Sequence, residues 1–366
     1  MGKDSDYYRE KKYLQKEKLS ELLYELPDFA TKFINDKRLR TQTSTLIQYC
    51  YDLITFYNYL LEKNPYFKKH RSSIKEFTYD DMKRLSYDDV NEYMLYLEFN
   101  VPTKNNLNAK KHENGKRAIA RKMSPLRGMF QFHFEHGNID SNPMTLVKLP
   151  SLKKDKNIIR LDAEETSDIL NCVDNISGST SAKMAKYRER TKLRDLAIMT
   201  LLLGTGMRVS ECAGLDLNDV NFTDNSLVIV RKGGGQDVIY FGDEVGEALE
   251  NYIDNERPAL NAKAREGDEE ALFYSLQGKR ISVDALEDLV KKFGKIAVPN
   301  KKITPHKLRS TYGTALYRET GDIRLVADVL GHENVNTTVQ YYAAIEDEHK
   351  RMAAGAVKMR DKKKTD

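Results

Sequence analysis

The chain has 366 residues, of which 40% are hydrophobic and 31% charged. That is enough for two domains of a soluble globular protein, and the longest apolar run, near Leu196–Leu203, is far too short to span a bilayer. The net charge of +5 is unevenly spread, with 26 Lys and Arg against 20 Asp and Glu in residues 1–150 and 34 against 35 in the remainder, so a polyanionic partner is a reasonable expectation for the first half.

The opening stretch Met1–Lys12 has no apolar core and does not read as a secretory signal. Residues 1–40 leave room for an additional N-terminal helix. Thr41–Lys63 carries Leu46, Tyr49, Leu53, Phe56, Tyr57 and Leu60 at helical spacing, and Asn64-Pro65 ends it. Ser86, followed three residues later by Asp89, predicts a capped helix through Phe99. A third helix is expected from about Gly115 to His136, with Ile119, Met123, Leu126, Met129, Phe130 and Phe134 as its apolar face and Gly137 as its stop. From Lys104 to Arg127 runs a basic stretch, Lys104, Lys110, Lys111, Lys116, Arg117, Arg121, Lys122 and Arg127, with Glu113 as its single acid. These eight are the candidate contacts to a polyanionic partner, although a basic stretch alone also describes a solvated helix face.

Residues 151–157, short, charged and following Pro150, read as a linker between a domain over 1–150 and one over 158–366. The second half mixes types. Helices are predicted over Asp162–Val173 and Thr191–Leu203, the latter stopped by Gly204-Thr205-Gly206. Two β-rich runs, Ser226–Val230 and Asp237–Phe241, flank a glycine-rich loop and predict a hairpin. Helices resume over Glu244–Asn255, Val283–Lys292, His306–Thr320 and Ile323–Val329, and the tail from Ile345 has helical propensity. The three cysteines, Cys50, Cys172 and Cys212, are far apart and odd in number, as expected of reduced thiols in a cytoplasm rather than of a disulfide framework.

Five segments of the second half carry residues suited to chemistry. Arg208, in Gly204–Glu211, follows a helix stop and would stand at the start of a new helix, where an anion is favoured; a guanidinium there can grip phosphate bidentately. Taken alone it could equally form a surface pair with Glu211. Lys232 stands in the hairpin loop. His306 and Arg309 are three apart and share a helix face. His332 follows Leu330-Gly331, and Tyr341-Tyr342 come nine and ten residues later. No acidic cluster with metal-ligand spacing appears, and no metal or other cofactor is expected.

Taken together and in this order, these segments resemble the motif string of the tyrosine recombinases and lambda-type integrases, with an Xer-like character. Gly204–Glu211 is similar to that family's first arginine motif, Lys232 to its hairpin lysine, Thr304–Arg309 to its HxxR box, and Leu330–Tyr342 to its LGH…Y box; Lys116–Pro143 resembles the end of its core-binding domain. The resemblance implies a mainly α fold of the α+β kind: a helical N-terminal core-binding domain, then a mostly helical catalytic domain with a small antiparallel sheet. It implies that Arg208 and Arg309 clamp a scissile phosphate, Lys232 protonates the leaving 5′-oxygen, His306 accepts a proton or donates a hydrogen bond, and His332 bonds the phosphate. Tyr341 would be the nucleophile rather than Tyr342, which lies about 100° further round a helix. Two departures stand out: Gly235-Gln236-Asp237 follow Lys232 where many relatives carry further basic residues, and Ser310 occupies a position that often holds His or Arg.

The expected activity is site-specific DNA recombination through a 3′-phosphotyrosine and a Holliday junction, without metal or ATP, serving chromosome dimer resolution or the movement of a mobile element. The expected partners are double-stranded DNA and three further copies in a homotetramer on paired sites, with room for an accessory protein or a partner recombinase and none for a membrane; the setting is a bacterial cytoplasm, at the nucleoid. Two alternatives share parts of the pattern: a type IB topoisomerase-like strand relaxase, and an accessory DNA-binding protein that has lost catalysis.

Overall fold

The computed structural model describes residues 6–98, 114–151, 160–175, 187–231 and 233–332. The chain packs as two compact units, Arg9–Asp155 and Lys156–Asp366, the latter including the first eight residues. The fold is mostly helical with one small sheet, as the sequence predicts. Among the described residues no helix is long and apolar enough to cross a membrane.

Helices are the regular elements of the unit Arg9–Asp155 among its described residues. It comprises α1 (Asp6–Glu25, counted from Arg9), α2 (Asp28–Lys37), α3 (Thr43–Lys63), α4 (Pro65–His70), α5 (Tyr79–Arg84), α6 (Tyr87–Glu98) and α7 (Lys116–Glu135). Helix α3 buries Leu46, Cys50, Leu53, Phe56, Tyr57 and Leu60 along one stripe. Its stop is reused as a start, because the Asn64 side chain accepts from the amides of Tyr66 and Phe67 and caps α4. At α6 the Ser86 hydroxyl accepts from the Asp89 amide while the Asp89 carboxylate accepts from the Ser86 amide, the reciprocal cap its sequence predicts.

On α7 the sequence reading needs one correction. Phe134 is 45% exposed, and His133 takes its place in the core. His133 lies seven residues after Leu126 and four after Met129, at the centre of the buried stripe, and the Phe29 carbonyl satisfies its Nε2 at 3.0 Å.

The other unit is organised around α9 (Lys192–Thr205), which buries Ala197, Ile198, Met199, Leu201 and Leu202. A helix apolar on every side belongs at the centre of its domain, and α9 packs against α8 (Ala163–Asp174), α11 (Asp243–Asn255) and α14 (Pro305–Thr320). Short helices α10 (Val209–Ala213) and α12 (Arg257–Asn261), with α13 (Val283–Ala297) and α15 (Ile323–Val329), complete it. The sheet has the order β1-β2-β3, from β1 (Val220–Asn221), β2 (Ser226–Val230) and β3 (Gln236–Tyr240), all antiparallel. Leu227, Ile229 and Ile239 point into the core and fix its register. The third strand begins one residue earlier than predicted, because Gln236 still pairs with Val230.

Of the three cysteines, Cys50 and Cys212 are buried, Cys172 is half-buried, and all are free thiols.

One polar contact ties the basic stretch to the core of its unit. Asp52 on α3 is buried, and Arg121 on α7 donates to its two oxygens at 2.8 and 3.3 Å. Removing the guanidinium leaves a buried carboxylate without its cation. Arg121→Ala is expected to destabilise this unit by about 1–3 kcal/mol, against about 0.5 kcal/mol or less for Lys116→Ala on the exposed start of the same helix. Urea unfolding of the two variants checks this, and equal midpoints would show that the pair contributes nothing.

Candidate active site

Three segments far apart in the sequence meet at one place in the second unit. The first is the turn after α9. Gly206 adopts φ +61° as the left-handed C-cap, and its amide donates to the Leu202 carbonyl. A Cβ there would meet the Tyr312 ring at 2.5 Å, so the position has no room for a side chain. The turn delivers Arg208 as the N-cap of α10. Glu211, one turn on and 2% exposed at its side chain, accepts from the Arg208 amide at 2.7 Å and from its Nη1 at 2.9 Å. The negative charge at this helix start is therefore the chain's own carboxylate. The Arg208–Glu211 pair that the sequence admitted does form, with its acid buried rather than on the surface.

The second segment is α14. Pro305 opens it, and Arg309 is 5% exposed. Arg309 Nη1 donates to the Gly206 carbonyl at 2.7 Å, and its Nη2 donates to the Leu330 carbonyl. His306, one turn earlier on the same helix, keeps an exposed edge. Ser310 points its hydroxyl back to the His306 carbonyl at 3.0 Å, a local helix contact.

The third segment is the end of α15. Gly331 is left-handed at φ +58°, its amide donates to the Asp328 carbonyl, and the His332 amide donates to that of Ala327. The carbonyls released by this ending receive the arginines: Arg208 Nη2 donates to Gly331 at 3.0 Å, while Arg309 donates to the adjacent Leu330. The two guanidinium groups thus close on neighbouring peptide units.

The electrostatics agree with the geometry. Burial, then the charges of Arg309 and Arg208, then His306 and Arg231, push His332 down from 6.5 to about 4. Burial of part of the ring, then Arg309 and Arg208, lower His306 as well. Both imidazoles are neutral at pH 7 beside a concentration of positive charge, an arrangement chemically suited to receiving an anion without adding a further cation.

The structure therefore brings together Arg208, His306, Arg309 and His332. Lys232 and Tyr341 lie outside the described residues, as do Lys104, Lys110 and Lys111 of the basic stretch, most of the 151–157 linker and the tail from Ile345. Of the remaining basic residues, Lys116 and Arg117 are exposed, Lys122 is half-buried, Arg121 is committed to Asp52, and Arg127 donates to the Val147 carbonyl at 2.8 Å. Sequence reasoning missed Glu211 as a buried member of the site; its signal is the three-residue spacing from Arg208. It also missed Arg231, whose only signal is its place beside Lys232.

Residues 160–349 match the phage integrase family. The chain is 33% identical over 321 residues to the tyrosine recombinase XerC of Caldanaerobacter subterraneus subsp. tengcongensis, covering 85% of this chain and 80% of that protein. It is 30% identical over 361 residues to the tyrosine recombinase XerS of Streptococcus agalactiae serotype III, covering 93% and 98%. Its fold is similar to that of the XerH site-specific recombinase bound to a palindromic difH substrate, with a TM-score of 0.60, 16% identity and coverage of 92% and 96%. It is also similar to a lambda integrase dimer bound to a COC′ core site, with a TM-score of 0.55, 16% identity and coverage of 86% and 93%.

The depressed histidine sets a pH expectation. Between 6.5 and about 4 the unfolded chain takes up a proton at His332 that the folded chain refuses. Acidification through that window therefore erodes stability, and the contribution is complete only above it. In a histidine NMR titration of the DNA-free protein, the His332 ring is expected to titrate below pH 5; a midpoint at 6 or above would mean that neither burial nor the arginines act on it.

Proposed function

Since the chain belongs to the phage integrase family, the tyrosine recombinases, we propose that Arg208, Arg309, His306 and His332 form its scissile-phosphate site, with Tyr341 as nucleophile and Lys232 as general acid. The chain is a site-specific DNA recombinase, an enzyme that cuts and rejoins DNA. The observation that carries the site assignment is the delivery of two arginines, from α10 and α14, onto the adjacent carbonyls of Leu330 and Gly331 immediately before His332.

The Tyr341 phenol oxygen attacks phosphorus, the P–O5′ bond breaks, and the Lys232 ammonium gives its proton to the departing 5′-oxygen. The phenol proton passes to a neighbouring acceptor, for which neutral His306 is suited. The two guanidinium groups meet the charge that builds on the non-bridging oxygens, and His332 bonds one of them. Because the phosphodiester bond is exchanged for a phosphotyrosine bond of similar energy, rejoining needs no ATP.

The partner is double-stranded DNA, gripped chiefly through phosphates and so with salt-dependent affinity. The residues offered for that grip in the first unit are Lys104, Lys110, Lys111, Lys116, Arg117, Lys122 and Arg127, with Arg121 contributing mainly to the fold. Strand exchange requires two paired sites, hence a homotetramer in which residues 343–359 of each copy engage the next. The setting is the cytoplasm of a bacterial cell, at the nucleoid, and an accessory protein or partner recombinase fits the same scheme.

A duplex nicked beside the cleavage point traps the covalent adduct. The wild-type chain is expected to form it, Tyr341→Phe to form none, and Arg309→Lys to form it more slowly by on the order of 10²-fold or more. Adduct with Tyr341→Phe would move the nucleophile elsewhere, and relaxation of circles without exchange between sites would make the enzyme a topoisomerase.

Truncation after Ala344 is expected to leave binding to a single site intact and to abolish the paired-site complex in gel-shift assays. Undiminished recombination by the truncated chain would remove the tail from assembly.

A further inference from the structure

We infer that Arg231 is a positioning residue that anchors the β2–β3 hairpin loop, and with it Lys232, to the phosphate site. The inference rests on the reading of Lys232 as general acid given above.

Arg231 follows the last residue of β2, and its backbone closes the turn: its amide donates to the Gly235 carbonyl at 2.8 Å, and its carbonyl accepts from the Gly234 amide at 3.0 Å. The side chain turns away from the loop into the protein and is 13% exposed. Its Nε donates to Asp237 Oδ2 on β3 at 2.8 Å, locking the two strands together at the base of the loop. Its Nη2 donates to the Val329 carbonyl at the end of α15 at 3.0 Å. Its Nη1 lies 3.5 Å from both oxygens of Glu211, the carboxylate that holds Arg208. The guanidinium also rests against Gly331, where a Cβ would meet its Cζ at 2.7 Å.

One planar group thus joins β3, the start of α10 and the end of α15. A hairpin loop carrying two left-handed glycines, Gly233 and Gly234 at φ +110° and +95°, has little stiffness of its own. A tether at the residue next to Lys232 reduces the freedom of the loop that must present a proton to the 5′-oxygen. It also sets the loop's position against the same peptide units that hold Arg208 and Arg309. Geometric precision of this kind governs general acid efficiency, because a small misplacement of a proton donor lowers the rate steeply. The carboxylates that face Arg231 balance its charge, so it adds order without competing for the substrate phosphate.

The test separates proton donation from every other step. In a substrate whose bridging 5′-oxygen is replaced by sulfur, the P–S bond breaks to release a thiolate, which needs no proton because a thiol has a pKa of about 8.5. Arg231→Ala is expected to slow covalent adduct formation by at least about tenfold on the oxygen substrate and by less than about threefold on the sulfur substrate, with single-site DNA binding unchanged. Arg231→Lys, which keeps a cation but not the three-way contact, is expected to show the same suppression with a smaller initial loss, and it serves if the alanine variant does not fold. Equal losses on both substrates, or no loss on oxygen, would overturn the role. Lys232→Ala separates the two levels: if sulfur rescues Lys232→Ala but not Arg231→Ala, only the positioning role fails; if sulfur rescues neither, the general-acid reading fails with it.

Discussion

Gathering the guanidinium groups of Arg208, Arg231 and Arg309 in one small space is the constraint from which the rest of the catalytic unit follows. Like charges 4 Å apart repel by about 4 kcal/mol in a partly screened environment, so the cluster needs compensating negative charge and dipoles around it. The chain supplies these with two devices. One is Glu211, buried and shared between Arg208 and Arg231. The other is a pair of helix ends. The C-terminus of α9 offers the Gly206 carbonyl, and that of α15 offers Val329, Leu330 and Gly331. Helix C-termini carry about half a negative charge and leave their last carbonyls without intrahelical partners, so they are fitting receptors for arginine. Carbonyls also hold a guanidinium without taking up its full charge.

The histidines are shaped by the same field. A further full charge in this space would add repulsion, and burial first, then the arginines, keep His306 and His332 neutral instead. A neutral imidazole can both donate and accept, whereas an imidazolium only donates. The site therefore sets fixed cations beside neutral rings, which on the proposed reading divide charge stabilisation from proton handling. This division of labour suits a reaction in which a phenol with an ordinary pKa near 10 must lose its proton while a poor leaving group gains one.

Much of this was legible in the sequence, for identifiable reasons. Helix α3 announced itself through a clean apolar stripe, and α8 through Asp162, whose carboxylate accepts from the Glu165 amide. The hairpin was visible because Leu227, Ile229 and Ile239 alternate with less buried neighbours around a glycine-rich loop. The clustering of Arg208, His306, Arg309 and His332 could be named only because their motif string resembles a known family; no periodicity links residues a hundred positions apart. What the sequence concealed was the support beneath them. Glu211 reads as a surface partner for Arg208 until burial is known, and Arg231 reads as one more basic residue in an exposed loop. Arg121 and His133 were concealed for the same reason, since charge or polarity suggests the surface while their helix positions place one against buried Asp52 and the other in the core.

The glycines of the motifs illustrate how sterics, rather than chemistry, hold the site open. Gly206 and Gly331 are both left-handed, and each ends the helix whose carbonyls receive an arginine. A methyl group at 206 would strike Tyr312 and crowd Leu330, displacing the carbonyl that Arg309 holds; one at 331 would strike the guanidinium of Arg231. Left-handed backbone costs a non-glycine residue about 1–2 kcal/mol, a penalty that a stable domain could absorb. The larger consequence is geometric. Arg309 reaches Gly206 and Arg208 reaches Gly331 so closely because no side chain projects from either glycine. A side chain at either position would force the helix ends apart from the cations that their carbonyls stabilise.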